Sequence, residues 1–123
     1  MLKLFDPRWL LFVMLLTVAA LPVRTHASTP TVVISEIAWA GSSISASDEW
    51  IELTNVSDLT VDLSNWKLTG AGSSDADLVL PDGARLEPHS TYLIANYEHT
   101  HANSALASAP SYVTASLSLP NGG

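Results

Sequence analysis

Short runs of β-branched and aromatic residues alternate with turn signals along this chain, at intervals of about 8–12 residues. The clearest runs are residues 31–40, 48–55 and 91–95, and Pro81-Asp82-Gly83 is the strongest turn signal. No helical period competes with this pattern. The sequence therefore predicts an all-β sandwich, with further short strands at residues 60–63, 66–69, 78–80 and 112–119.

The segment Asp48-Glu49-Trp50-Ile51-Glu52-Leu53 combines three acids with three large apolar side chains. In an extended chain, Glu49, Ile51 and Leu53 lie on one side and Trp50 and Glu52 on the other. Neither side is purely apolar, which predicts a central strand with its acids gathered near one end. In the preceding run, Glu36 between Ile34 and Ile37 breaks strict alternation and predicts a bulge or a change of face.

The N-terminus has the layout of a secretory signal peptide. Lys3 and Arg8 precede an uncharged apolar run at residues 9–21, and a small residue, Ala27, follows shortly after it. The run is shorter than the roughly 17–25 residues of a membrane-spanning helix. We therefore predict a signal peptide at residues 1–27, cleaved after Ala27, no membrane span in the mature chain, and a secreted or cell-surface protein.

Cleavage leaves residues 28–123 as one small domain that is strongly acidic. It keeps two basic side chains, Lys67 and Arg85, and eleven of the twelve acidic ones, which gives a net charge of −9 with histidine neutral. Such a surface repels a phosphate backbone, so no nucleic-acid partner is expected. The chain has no cysteine, which excludes disulfides and thiol catalysis and leaves stability to packing.

Three blocks in order resemble the lamin tail domain in its exported bacterial form. They are residues 33–37 (VISEI), 48–55 (DEWIELTN) and 61–68 (VDLSNWKL), and the later segments LPDGA at 80–84, LEP at 86–88 and YLI at 92–94 fit the same pattern. The resemblance covers about residues 31–123. It implies an immunoglobulin-like β-sandwich and a non-catalytic binding or tethering role. The family pattern continues beyond Asn121-Gly122-Gly123, so we expect a domain that is missing its last strands and leaves a sheet edge open.

Four acids are the candidate metal ligands: Glu36, Asp48, Glu49 and Glu52. Calcium takes 6–8 oxygen ligands, but the spacing of these acids fits no known calcium loop. The favoured interpretation is that no metal binds, that Glu36 and Glu52 bond backbone amides at strand ends, and that Asp48 and Glu49 are solvated. A pair of carboxylates serving glycoside hydrolysis is the less favoured alternative, since nothing in the spacing supports it.

Other candidate sites carry weaker patterns. His99 and His101 would lie on one face of an extended chain, but the polar loop around them favours exposed, non-ligating side chains. Asp75 and Asp77 lack the glycine and the distal glutamate of a calcium loop. The Gly-x-Ser-x-Gly nucleophile motif is absent, and we predict no catalytic residue and no cofactor.

Three tryptophans, Trp39, Trp50 and Trp66, would stack on sugars if they were exposed on one face. We favour the alternative in which at least two lie in the core, with Trp66 as the strongest candidate, because a cysteine-free domain needs their area. The predicted function is an extracellular or cell-surface module that holds an unidentified protein or envelope component. The alternative is a calcium-dependent carbohydrate-binding or hydrolase accessory domain.

Overall fold

A computed structural model describes residues 29–120 of the 123-residue chain. The predicted signal peptide and the Asn121-Gly122-Gly123 segment lie outside this range. Within it, one short 3₁₀ turn, Ser73–Asp75, and eight strands form: β1 (Val32–Ala38), β2 (Trp50–Asn55), β3 (Val61–Asp62), β4 (Lys67–Leu68), β5 (Leu78–Val79), β6 (Arg85–Leu86), β7 (Thr91–Ala95) and β8 (Tyr112–Val113). None of the described residues forms a helix that is long and apolar enough to cross a bilayer.

The largest sheet has four strands in the order β1-β2-β7-β8. The β1–β2 and β2–β7 pairs are antiparallel, and β8 joins β7 in parallel. The strand from residue 50 is therefore central, as the sequence predicts. Ile51, Leu53 and Asn55 are buried on one face of β2, and Trp50, Glu52 and Thr54 are half-buried on the other.

A second layer consists of two short antiparallel pairs, β3 with β6 and β4 with β5. Their aliphatic side chains pack against the inner face of the large sheet in a single hydrophobic cluster. This arrangement confirms the all-β class and is consistent with an immunoglobulin-like sandwich. The fully buried members with the largest side chains are aliphatic: Leu63, Leu80, Leu86 and Ile94.

The prediction of a tryptophan core is wrong. The exposed fraction of Trp39 is 52% and that of Trp66 is 42%, while Trp50 is half-buried on the outer face of β2. Trp66 follows the turn at Asn65, which has a positive φ of 61°, and its backbone rather than its indole is anchored, bonding Leu63 and Leu80. Leucine and isoleucine supply most of the interior, and their branched side chains pack closely without a polar N–H to satisfy.

The bulge predicted in the first strand is confirmed. The β1–β2 register shifts between Ile34, which faces Leu53, and Glu36, which faces Glu52. Ser35 is the extra residue. Because one residue is inserted, Ile34 and Ile37 stay on the same face of β1 although they are three positions apart.

Two strand predictions need correction. Arg85–Leu86 is a strand that pairs with β3, although no strand is predicted at these residues from the sequence. The run at residues 112–119 forms only the two-residue β8, followed by an isolated bridge between Leu117 and Gly72. Elements of two residues carry too little periodicity to be recognised from the sequence, and tertiary pairing defines them.

Candidate functional site

The four candidate acids form two separate pairs. Asp48 and Glu49, just before β2, are buried. The Oδ2 atom of Asp48 accepts a hydrogen bond from the Ala105 amide at 2.7 Å, and the Oε2 atom of Glu49 accepts one from the Leu119 amide at 3.0 Å. These carboxylates therefore hold the long C-terminal segment against the start of β2.

Glu36 and Glu52 lie on the outer face of the large sheet and are Cα partners across β1 and β2. The Oε1 atom of Glu36 accepts a hydrogen bond from the Trp50 indole at 3.0 Å, and the Oε1 atom of Glu52 accepts one from the Ser35 hydroxyl at 2.7 Å. Both carboxylates bond neutral side-chain donors.

The predicted roles of the four acids are thus reversed. The pair predicted to be solvated, Asp48 and Glu49, is buried and accepts hydrogen bonds from backbone amides. The pair predicted to bond backbone amides, Glu36 and Glu52, accepts hydrogen bonds from side chains on an accessible face. Sequence spacing misses this because the covering residues, Ala105 and Leu119, are 57 and 70 positions away. Within residues 29–120, no group of three histidine, aspartate or glutamate side chains is placed to hold a metal ion.

One buried acid oxygen lacks a partner. The Oδ1 atom of Asp48 makes no hydrogen bond within the described part of the chain, although the residue is fully buried. A buried carboxylate oxygen without a partner costs stability. The bond from the Ala105 amide to Oδ2 is therefore the contact through which Asp48 anchors the loop.

The weaker candidates also disperse. His99 and His101 are exposed, and the His101 ring stacks on Tyr97 with 4.5 Å between ring centroids. Asp77 forms an ion pair with Lys67 at 3.3 Å, so Asp75 and Asp77 do not act together. These contacts are local, and none assembles a reactive pair.

Two pKa values shift for structural reasons. Hydrogen bonds from the Ser64 side chain and backbone lower the pKa of the exposed Asp62 carboxyl at the end of β3. Burial raises the pKa of the Tyr92 hydroxyl, with a further contribution from Tyr112. The shift at Asp62 arises from the local geometry at a strand end. The shift at Tyr92 arises from packing within the hydrophobic cluster.

The inner face of β1 is the part of the sandwich that remains uncovered. Ile34 and Ile37 pair with Leu53 and Ile51, whose exposed fractions are 2% and 3%. The exposed fractions of Ile34 and Ile37 are 54% and 48%, although they lie on the same apolar face. The second layer therefore leaves about half of each of these two side chains accessible.

This uncovered face forms one wall of an open groove with a volume of about 370 Å³. We call it the β1 groove. Its lining is mainly apolar and combines β1 with the β4 region and the end of the described chain: Ile34, Ile37, Leu68, Ala71 and Leu119, with Lys67 and Thr69 as its polar members. Beside it, β1 is the edge strand of the large sheet and bonds only β2 in the described range.

A second cavity of about 480 Å³ lies near Glu49 and Asn96. Asn96 is already engaged there, because its amide nitrogen donates to the Leu117 carbonyl at 2.8 Å and its oxygen accepts from the Glu49 amide. The first of these bonds holds the C-terminal segment against the end of β7. The β1 groove differs in being mainly apolar and in lying beside a strand edge.

The described residues thus form a small β-sandwich with a mainly apolar groove beside the edge strand of its larger sheet. The chain matches the family model for the Lamin Tail Domain over residues 25–123, and it belongs to that family. The family consists of immunoglobulin-like modules that generally mediate protein interaction and are not catalytic. No curated protein matches the chain.

Proposed function

We propose that this domain is a non-catalytic interaction module that holds a protein partner through the β1 groove, outside the cell or at its surface. The observation that carries the proposal is the half-exposure of Ile34 and Ile37 beside a fully buried row of β2. Contiguous exposed apolar surface of this kind is typical of interaction sites. Export is supported by the N-terminal sequence, with its apolar run before Ala27.

The energy available from the two isoleucines is modest. Covering the exposed half of an isoleucine side chain contributes on the order of 1 kcal/mol. A useful affinity therefore requires additional contacts, and the free backbone groups along β1 are the nearest source. The groove and the strand edge would act together.

The absence of catalysis is supported by the engagement of the acids. Asp48 and Glu49 bind backbone amides, and Glu36 and Glu52 accept hydrogen bonds from the Trp50 indole and the Ser35 hydroxyl. Acid–base catalysis needs a positioned pair beside a bound substrate, and the described residues offer none.

The proposal is tested by a photo-crosslinking amino acid placed at Ile37, with the same substitution at Leu59 as the matched control. Leu59 is 75% exposed and lies away from the groove. In intact cells that produce the protein, irradiation should give one dominant adduct with another polypeptide from position 37 and not from position 59. Equal labelling from both positions, or no adduct from position 37, would contradict the proposal.

We further propose that the module works without a bound metal. Calcium prefers several convergent oxygen ligands, and the four acids are divided between a buried pair and an outer pair. Adding millimolar calcium should therefore leave the melting temperature unchanged. A rise in melting temperature that Glu52→Gln abolishes would overturn this point, since a ligand that binds the folded state stabilises it.

A further inference from the structure

We infer that the partner supplies one extended strand, which pairs with the free edge of β1, places apolar side chains in the β1 groove, and carries a lysine or arginine opposite Glu36. This inference rests on the proposed function and specifies the chemistry of the partner. It follows from three features of β1: its edge position, its inner face and its outer face.

The edge position provides the backbone bonds. β1 is seven residues long and has β2 on one side only in the described range. Its outward N–H and C=O groups match those of an added strand. An extended segment can therefore bond here in the way that β2 bonds on the other side.

The inner face selects apolar residues. In an added strand, alternate side chains point to the same side as Ile34 and Ile37. There they meet the apolar wall formed by Leu68, Ala71 and Leu119. A strand with aliphatic residues at alternate positions would cover surface that is now half-exposed.

The outer face selects positive charge. Glu36 and Glu52 are cross-strand partners, and like charges placed directly opposite each other are destabilising. Their recorded partners are the Trp50 indole and the Ser35 hydroxyl, which are neutral. The ion pairs found in residues 29–120 are elsewhere, between Lys67 and Asp77 and between His89 and Asp58. A cationic side chain opposite Glu36 would relieve the repulsion between the two carboxylates.

A second copy of this chain fits the surface poorly. β1 itself, VVISEIA, contains no basic residue, so a copy of β1 cannot place a cation opposite Glu36. The chain also carries a net charge of −7 and repels its own copies. The charge at Glu36 therefore protects the edge from self-pairing and favours a different, basic strand.

The test uses three synthetic nine-residue peptides in which valine alternates with threonine. One peptide has lysine at a central threonine position, one has glutamate there, and one keeps threonine. Calorimetric titration at low salt should show the lysine peptide binding at least about tenfold more tightly than the glutamate peptide, with the threonine peptide between them. The difference should shrink at high salt, because exposed charges are screened.

Two variants complete the design. Glu36→Gln should reduce the ratio between the lysine and glutamate peptides to about two or less. Glu98→Gln removes an exposed acid in the loop after β7 and should leave the ratio unchanged. Thermal melting confirms that both variants are folded before binding is measured.

The outcomes separate this inference from the proposed function. Equal binding of all three peptides overturns the requirement for a basic residue and leaves the groove as a binding site. Failure of every peptide, together with a specific crosslink from position 37, overturns strand addition and leaves the interaction module. Self-association of the protein at these concentrations, with no peptide binding, assigns the edge to a second copy and overturns the inference.

Discussion

Asn55 ties the end of β2 to two other segments with one side chain, the turn at residues 57–59 and residues 86–87. Its amide nitrogen donates to the carbonyls of Leu59, Leu86 and Glu87, at 2.8, 3.1 and 3.1 Å. Its oxygen accepts from the Ser57 amide at 3.0 Å. The residue is fully buried at the end of β2, so each of these bonds replaces water that has been lost.

Replacing Asn55 with alanine should lower the free energy of unfolding by about 3 kcal/mol, because buried carbonyl groups lose their donor. Asn103→Ala is the matched control, since Asn103 is exposed and its side chain makes no hydrogen bond to any residue between 29 and 120. The control should stay within about 0.5 kcal/mol of the original protein. Urea unfolding measures both, and an equal effect of the two substitutions would refute the role of Asn55.

The burial of Asp48 could not be predicted from its residue type and its neighbours in the sequence. The sequence suggests a solvated acid, since charged side chains are rarely buried. The structure covers it with Ala105, which lies in a polar loop that has no pattern of its own. A contact across 57 positions depends on how the loop folds back, and no local signal encodes it.

At the element scale, the β1 bulge determines which side chains face the groove. Ser35 is inserted between Ile34 and Glu36, and its hydroxyl bonds Glu52 and receives a hydrogen bond from Thr54. Removing the inserted residue would convert Ile34, Glu36 and Ile37 into a strictly alternating strand. The present cross-strand partners would then remain in place.

Deleting Ser35 should therefore preserve the fold and change the free energy of unfolding by no more than about 1 kcal/mol, since the three hydrogen bonds of its hydroxyl are exposed. Deleting Thr54 is the control. That deletion moves Asn55 to the opposite face of β2 and should cost several kcal/mol or prevent folding. Denaturant unfolding of both variants decides the matter, and loss of structure on removing Ser35 would show that the bulge itself is required.

Elements with strong local patterns are predicted well from the sequence. The strand from 91 to 95, the central strand ending at Asn55 and the irregular position of Glu36 are confirmed. The two-residue strand Arg85–Leu86 is missed because it is defined by its pairing with Val61 and Asp62. The β1 groove could not be predicted either, because it depends on which part of β1 the second layer leaves uncovered.

At the scale of the whole molecule, the interior is built from aliphatic side chains. Leu63, Leu80, Leu86 and Ile94 are buried, whereas the indoles of Trp39 and Trp66 are at the surface. The sequence argument assigned the core to the largest side chains. That argument fails because area alone does not determine burial, and two thin layers are filled more closely by branched residues.

The composition of the core predicts a contrast between two substitutions. Leu63→Ala should lower the free energy of unfolding by about 2–5 kcal/mol, since it leaves a cavity in a fully buried position. Trp66→Ala should lower it by less than about 1 kcal/mol despite the larger side chain removed. Thermal or urea unfolding compares them, and a larger loss from Trp66→Ala would restore the tryptophan core.

The openness of the β1 edge, on which the proposed binding depends, is measured most directly by amide hydrogen exchange of the isolated protein. Amides of Val32–Ala38 that bond β2 should be protected, and those that point to the free edge should exchange at rates close to those of exposed loops. Alternating protection along β1 is the predicted result. Uniform protection along the strand would show that the edge is already covered and would contradict the account.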